Sequence, residues 1–254
     1  MPPPTARTPL HTLLGHSPTS LSLHAFLRSL APSDSESESP TSSVSQPSPF
    51  PVDPLGSADV SLNAQCNYLT YRLPSLALEL VFEGDPPLQL DPTTTTRQEL
   101  AQASKDGLIR LKSITVFNHG VDESYARAPR DRRGFSPDTP LPPYRGYPIL
   151  LPSPREAPSG GDLFPLSHDT ELTNFIEAMG SPRRRLGGMK THEVDWKVEV
   201  DGDREGDPRA VEVVVEFPTV GDLAYVRDGR HGWIKVDVYI PVEDDEGEGP
   251  WPAE

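Results

Sequence analysis

The chain has 254 residues, with 31 Pro and 19 Gly, and 23 Lys and Arg against 38 Asp and Glu leave a net charge of −15. That balance repels phosphate backbones and argues against general nucleic-acid binding, and a single cysteine, Cys66, excludes an intrachain disulfide. Hydrophobic residues make up only 35% of the chain, which predicts a core of modest size carrying long irregular insertions.

Residues 8–31 read as a helical hairpin. Leu10, Leu13 and Leu14 form a first apolar cluster closed by Gly15, and Ser17-Pro18 restarts the chain as cap and first-turn proline. Leu23, Phe26, Leu27 and Leu30 then recur at helical spacing on one face until Pro32, with His24 at the edge of that stripe. Residues 33–57 are an acidic, Ser- and Pro-rich insertion whose composition cannot repay the entropy of ordering, so it is expected to be disordered. Ser33 and Ser35 each have a glutamate three positions on, the pattern favoured by acidophilic kinases.

β-structure is expected from Tyr68. Leu76, Leu78, Leu80 and Phe82 alternate with Ala77, Glu79 and Val81 until Gly84-Asp85-Pro86 ends the strand. A short helix is expected within 97–105. Ile109, Leu111, Ile114, Val116 and Phe117 make the next strand, with a bulge near Lys112-Ser113 where the alternation changes phase. Residues 121–165 read as an irregular linker holding the basic cluster Arg127, Arg130, Arg132 and Arg133, and Leu141-Pro-Pro-Tyr144 has polyproline character.

A second helix opens with Ser167 as N-cap and carries Leu172, Phe175, Ile176 and Met179 at the spacing of the first stripe, stopping at Gly180 and Pro182. Arg183, Arg184 and Arg185 complement the negative helix end and lead through Gly187-Gly188 as a turn. Strands are expected at Val194–Val200, Ala210–Phe217 and Trp233–Ile240, followed by an acidic tail at 243–254.

The helix-then-strands pattern therefore occurs twice. The strand ending Val81-Phe82 corresponds to the one ending Glu216-Phe217, and Ile114-Thr-Val116-Phe117 corresponds to Val236-Asp-Val238-Tyr239. The expected fold is α+β: two tandem units, 8–120 and 166–242, each a helix or helical hairpin on a small antiparallel sheet, joined by 121–165. The rival is a single α+β sandwich with helices over one sheet.

Local chemistry is sparse. No G-x-S-x-G elbow and no phosphate-binding glycine loop is present. The seven histidines are scattered, and the densest group, His192-Glu193 with Asp195, reads as a strand entry. No catalytic, cofactor or metal residue is assigned. Cys66 has no basic residue near it in sequence and is expected to be inert, and Asp244-Asp245 lies in the tail, where nothing would desolvate it. The candidate anion- or partner-binding residues are Arg127, Arg130, Arg132, Arg133, Arg183, Arg184 and Arg185.

The expected role is a non-enzymatic intracellular interaction or adaptor module, cytoplasmic with the nucleus as the alternative. It would engage a protein partner through open sheet faces or the groove between units. One alternative is an enzyme whose site is assembled from distant residues, which a pocket of convergent polar groups would favour. Another is a peripheral adaptor that meets anionic lipid through the arginines. No run of apolar residues reaches membrane-spanning length, and no secretory signal is expected at the N-terminus.

The segment Tyr68-Leu-Thr-Tyr71, then Leu76-Ala-Leu-Glu-Leu-Val-Phe82, then Ile114-Thr-Val116-Phe117 resembles tandem helix-plus-sheet modules of the β-lactamase-inhibitor-protein and small outer-membrane-lipoprotein kind. It is also similar to strand segments of the phagosome assembly factor family. Where those patterns carry a glycine between strands, this chain has Ser75 after Pro74. The resemblance implies a protein–protein interaction fold without catalysis and carries over no binding residue.

Overall fold

Alternating apolar and polar residues form the strands, and two short apolar stripes form the helices. In this computed structural model the described residues are 8–30, 55–56, 58–63, 68–84, 99, 102, 108–118, 144–158, 160, 163–187, 191–201, 208–218 and 232–241. A 3-10 turn at Leu10–Leu13 leads to helix α1 (Leu21–Leu30). Strands β1 (Asp59–Asn63), β2 (Tyr68–Leu73), β3 (Leu78–Gly84) and β4 (Ile109–Phe117) follow. The short pair β5 (Ile149–Leu151) and β6 (Phe164–Leu166) precedes helix α2 (Leu172–Met179). Then come β7 (Arg184–Gly187), β8 (Thr191–Asp201), β9 (Pro208–Pro218) and β10 (Lys235–Tyr239).

The protein is α+β, with eight strands in one antiparallel sheet of order β1-β2-β3-β4-β10-β9-β8-β7. Two meanders run inward from opposite edges and meet where β4 pairs with β10, with Val116 opposite Val236, Thr115 opposite Asp237 and Ile114 opposite Val238. The next pairings outward are Leu80 with Ile114 on one side and Val215 with Val236 on the other.

One face of this sheet and both helices share a single core. Leu23, Phe26, Leu27 and Leu30 of α1 are buried with Leu78, Leu80, Phe82, Ile114 and Val116. From α2, Phe175 is fully buried; it stacks on Trp196 and meets Phe164 and Phe217 edge-on. Polar pins hold the layers together. Trp196 Nε1 donates to Gly180 O (2.9 Å), and Trp233 Nε1 donates to Ser167 O (2.8 Å). Asn118 Nδ2 donates to the carbonyls of His168 and Trp233.

Both stripes lie where helical spacing places them, and so does the bulge. Val81 pairs with Ser113 while Phe82 pairs with Leu111, leaving Lys112 as the extra residue. The bulge lets Ile109 and Leu111 on one side, and Ile114 and Val116 on the other, all face the core.

Several elements depart from expectation. β1 and β7 were not foreseen, because Asp59-Val-Ser-Leu-Asn63 and Arg184-Arg-Leu-Gly187 are short edge strands with few apolar residues. The linker contributes to the core through β5 and β6, with Tyr144, Ile149, Leu151 and Leu166 buried. Each of those strands is three residues long and sits among prolines, so no periodicity marks it. Leu55, inside the expected disordered insertion, is buried in a turn closed by Ala58 N to Leu55 O. The N-cap of α2 is Glu171, which forms a capping box with Asn174, while Ser167 closes a separate turn with Thr170. The alternation read from Leu76 begins at Leu78, because Pro74–Leu76 is a 3-10 turn ending on Ala77 at φ 52°. Within 97–105, Glu99 and Gln102 are described and both are helical. The rest of the insertion at 33–57, Cys66, the Arg127–Arg133 cluster, Leu141–Pro143 and the tail from 243 lie outside the described residues.

The packing of Phe175 predicts that Phe175→Ala lowers unfolding stability by about 3–5 kcal/mol, because the fully enclosed ring leaves a cavity. Leu21→Ser, at a residue 85% exposed, changes stability by less than about 0.5 kcal/mol. Urea unfolding of both variants checks the contrast.

Candidate functional site

Successive strand residues point to opposite faces, so every core residue of the central strands has a polar neighbour on the other side of the sheet. The pairing registers set these neighbours into transverse rows. The central row runs Arg72, Glu79, Thr115, Asp237, Val214, Asp195 across β2, β3, β4, β10, β9 and β8. One flanking row runs Val81, Ser113, Tyr239, Glu212 across β3, β4, β10 and β9. On the other side Phe117, Lys235, Glu216 and Glu193 line up across β4, β10, β9 and β8. Together these rows surround a cavity of about 300 Å³ centred on the β4–β10 ladder.

A carboxylate excluded from water needs a partner, and here almost every one has it. Glu79, 3% exposed, accepts from Arg72 Nε at 3.0 Å. Arg183, just beyond α2, spans two strands: its Nε donates to Asp195 Oδ2 (3.1 Å) and its Nη2 to Glu212 Oε1 (2.8 Å). Its backbone N–H also donates to Asp195 O at 2.8 Å, fixing the start of that reach. The Tyr239 hydroxyl donates to the second oxygen of Glu212, and the Thr115 hydroxyl donates to Asp237. Lys235 Nζ lies 3.1 Å from Glu216 and 3.4 Å from Asp237. Glu193 lines the cavity with no cation bound to it among the described residues.

Burial pushes the Tyr239 hydroxyl pKa well above its ordinary value of 10.0, and the hydrogen bond to Glu212 adds to the shift. Tyr147, behind the sheet, is shifted the same way by burial and by its neighbour Tyr144. A tyrosine held so firmly protonated is not a base at neutral pH.

The sequence-based candidates fall in different places. Arg183 belongs to the cavity, but as the internal clamp on Asp195 and Glu212. Arg184 and Arg185 stand on the edge strand β7, opposite Asp195 and Val194. Arg127, Arg130, Arg132 and Arg133 lie outside the described residues. Glu193 and Asp195 line the cavity, yet no cluster of His, Cys, Asp and Glu suited to a metal occurs among the described residues. Glu79, Thr115, Glu212, Lys235, Asp237 and Tyr239 were read only as the polar positions of strands. Their one sequence signal is that charges occupy the same pleat phase in β3, β9 and β10, and register alone brings them together.

Comparison of the chain with models of known protein families, with curated protein sequences and with solved structures returns no match. No helix among the described residues is long and apolar enough to cross a membrane.

Removing the Arg183 clamp strands two buried carboxylates close together. Its side chain is 38% exposed, so water screens part of the loss. Arg183→Met is therefore expected to cost about 1–3 kcal/mol by urea unfolding, and adding Asp195→Asn with Glu212→Gln should recover most of it. The tyrosine shifts give a pH dependence. Both native-state values lie above the unfolded one, so this contribution is complete below about pH 10 and is lost as pH rises beyond it. Absorbance titration at about 295 nm should show two tyrosines ionising only with alkaline unfolding, and Tyr239→Phe should remove one of them.

Proposed function

We propose that this chain is a non-enzymatic, intracellular protein-interaction module built of two tandem helix-plus-meander units. Its binding surface is the polar sheet face over the seam where the units join. The observation that carries the reading is the charged cavity centred on the β4–β10 ladder, lined from both meanders.

The tandem reading draws support from register. The offset that takes Phe82 to Phe217 also takes Leu80 to Val215, and the offset that takes Val116 to Val238 also takes Ile114 to Val236. Applied together they carry the pair Leu80–Ile114 onto the pair Val215–Val236, which stand opposite each other on β9 and β10. Two alternating strands placed independently have no reason to keep that relation. Helix stripes of the same spacing are buried ahead of each meander, with Leu23, Phe26 and Leu30 in one and Leu172, Phe175 and Met179 in the other.

Convergent polar groups in a cavity would ordinarily favour an enzyme. What turns the reading toward binding is how these groups are used. Four of the five cavity carboxylates, Glu79, Asp195, Glu212 and Asp237, are paired with Arg72, Arg183 or Lys235 or accept from hydroxyls, and Tyr239 is held protonated. No described residue of the cavity is a histidine or a cysteine. Such pairing builds a fixed charge pattern, which serves recognition. For an anionic lipid, Arg183 would have to leave both carboxylates.

The test is site-specific photocrosslinking in cells. A photoreactive residue at Val214 or Ser113 is expected to give an adduct with one partner, and the same residue at the exposed Leu21 none. The purified partner should then slow amide exchange in β4, β9 and β10 and leave the helices unchanged. Adducts from Leu21 alone, or protection confined to the helices, would place the binding surface elsewhere.

A further inference from the structure

We infer that the cavity on the polar face receives an arginine or lysine side chain from an extended basic segment of a protein partner; this rests on reading that face as the binding surface. Charge is the first argument. Five carboxylates line the cavity, Glu79, Glu193, Asp195, Glu212 and Asp237, against two cations, Arg183 and Lys235. Even with Arg72 bound to Glu79, and with Lys235 shared between Asp237 and Glu216, negative charge remains in excess. Of these five, Glu193 is the one with no cation bound to it among the described residues. An incoming guanidinium or ammonium completes the pattern, and a phosphate or carboxylate ligand is repelled by it.

Shape is the second argument. At about 300 Å³ the cavity sits at the lower end of the range for ligand sites, which suits one long side chain better than a cofactor. Val81 and Val214 interrupt the charged lining with apolar surface. Lysine and arginine carry an aliphatic stem below a charged head, and that pairing of contacts matches the lining. The ion pairs already in place hold Glu79, Asp195, Glu212 and Asp237 in position before binding, so little of their side-chain entropy remains to be lost.

The probe is a fluorescein-labelled nonapeptide of three Gly-Ser-Arg repeats, titrated onto the full chain by fluorescence anisotropy. Replacing each arginine by citrulline keeps shape and removes charge, and should weaken binding by about tenfold or more. Glu193→Gln should weaken the arginine peptide about three- to tenfold. The double variant Asp169→Asn, Glu177→Gln removes more charge, from exposed positions just before and on the second helix, and should change affinity less than about twofold. Equal losses from this variant and from Glu193→Gln would show attraction to bulk charge only and overturn the proposal. So would undiminished binding of the citrulline peptide. Spermine binding as tightly as the peptide, with the same sensitivity to Glu193→Gln, would assign the site to a free amine and overturn the segment claim. If the arginine peptide does not bind while Val214 and Ser113 still crosslink to a partner, the cationic ligand is wrong and the surface stands. If the crosslinks arise only from Leu21, the surface itself is wrong.

Discussion

The pairing of β4 with β10 is the interaction on which the rest of the molecule depends. It is the only ladder that joins the two meanders within the described sheet, and it sets Thr115 opposite Asp237 at the middle. On the core side it places Ile114 and Val116 against Val238 and Val236, all fully buried beneath the helices. Slipping β10 by one residue against β4 would turn Val236 and Val238 outward and bury Asp237 instead. The bulge at Lys112 belongs to the same constraint. It changes the phase of β4 part-way along, so that Leu111 and Ile114 both reach the core although an odd spacing separates them.

The polar face follows from that ladder. A sheet buried on one side must show its alternate residues on the other, and here those residues are mainly charged. Their number would be destabilising if they stood alone. Arg183 lowers the cost by reaching from the end of α2 across β8 to β9, which ties the position of a helix terminus to the charge pattern of the sheet. Across the seam the central row places Glu79 and Thr115 on one meander and Asp237 and Val214 on the other, so the face is asymmetric.

Much of the architecture was legible in the sequence because period and spacing are local properties. The stripes at Leu23–Leu30 and Leu172–Met179, the strands ending at Phe82 and Phe217 and the phase change at Lys112 all write themselves into neighbouring residues. The edge strands β1 and β7 did not, because Asp59–Asn63 and Arg184–Gly187 are short and carry few apolar residues. The pair β5 and β6 did not, because Ile149–Leu151 and Phe164–Leu166 are too short and are held by contacts with distant residues. The candidate site was hidden for a related reason. Glu79, Thr115, Asp195, Glu212, Asp237 and Tyr239 are each unremarkable polar strand positions, and only cross-strand register makes them neighbours. The arginine clusters stood out in sequence because like charges were contiguous, yet Arg183 serves as an internal clamp.

Native-state hydrogen exchange at the β4–β10 ladder tests the account most directly. If the ladder holds both halves in one core, the amides of Ile114, Val116, Val236 and Val238 exchange only through global unfolding, with the same denaturant dependence as the buried amides of β3 and β9. Exchange of those amides through a lower-energy opening, with the two meanders still protected, would show units that fold apart and meet loosely, and would contradict it.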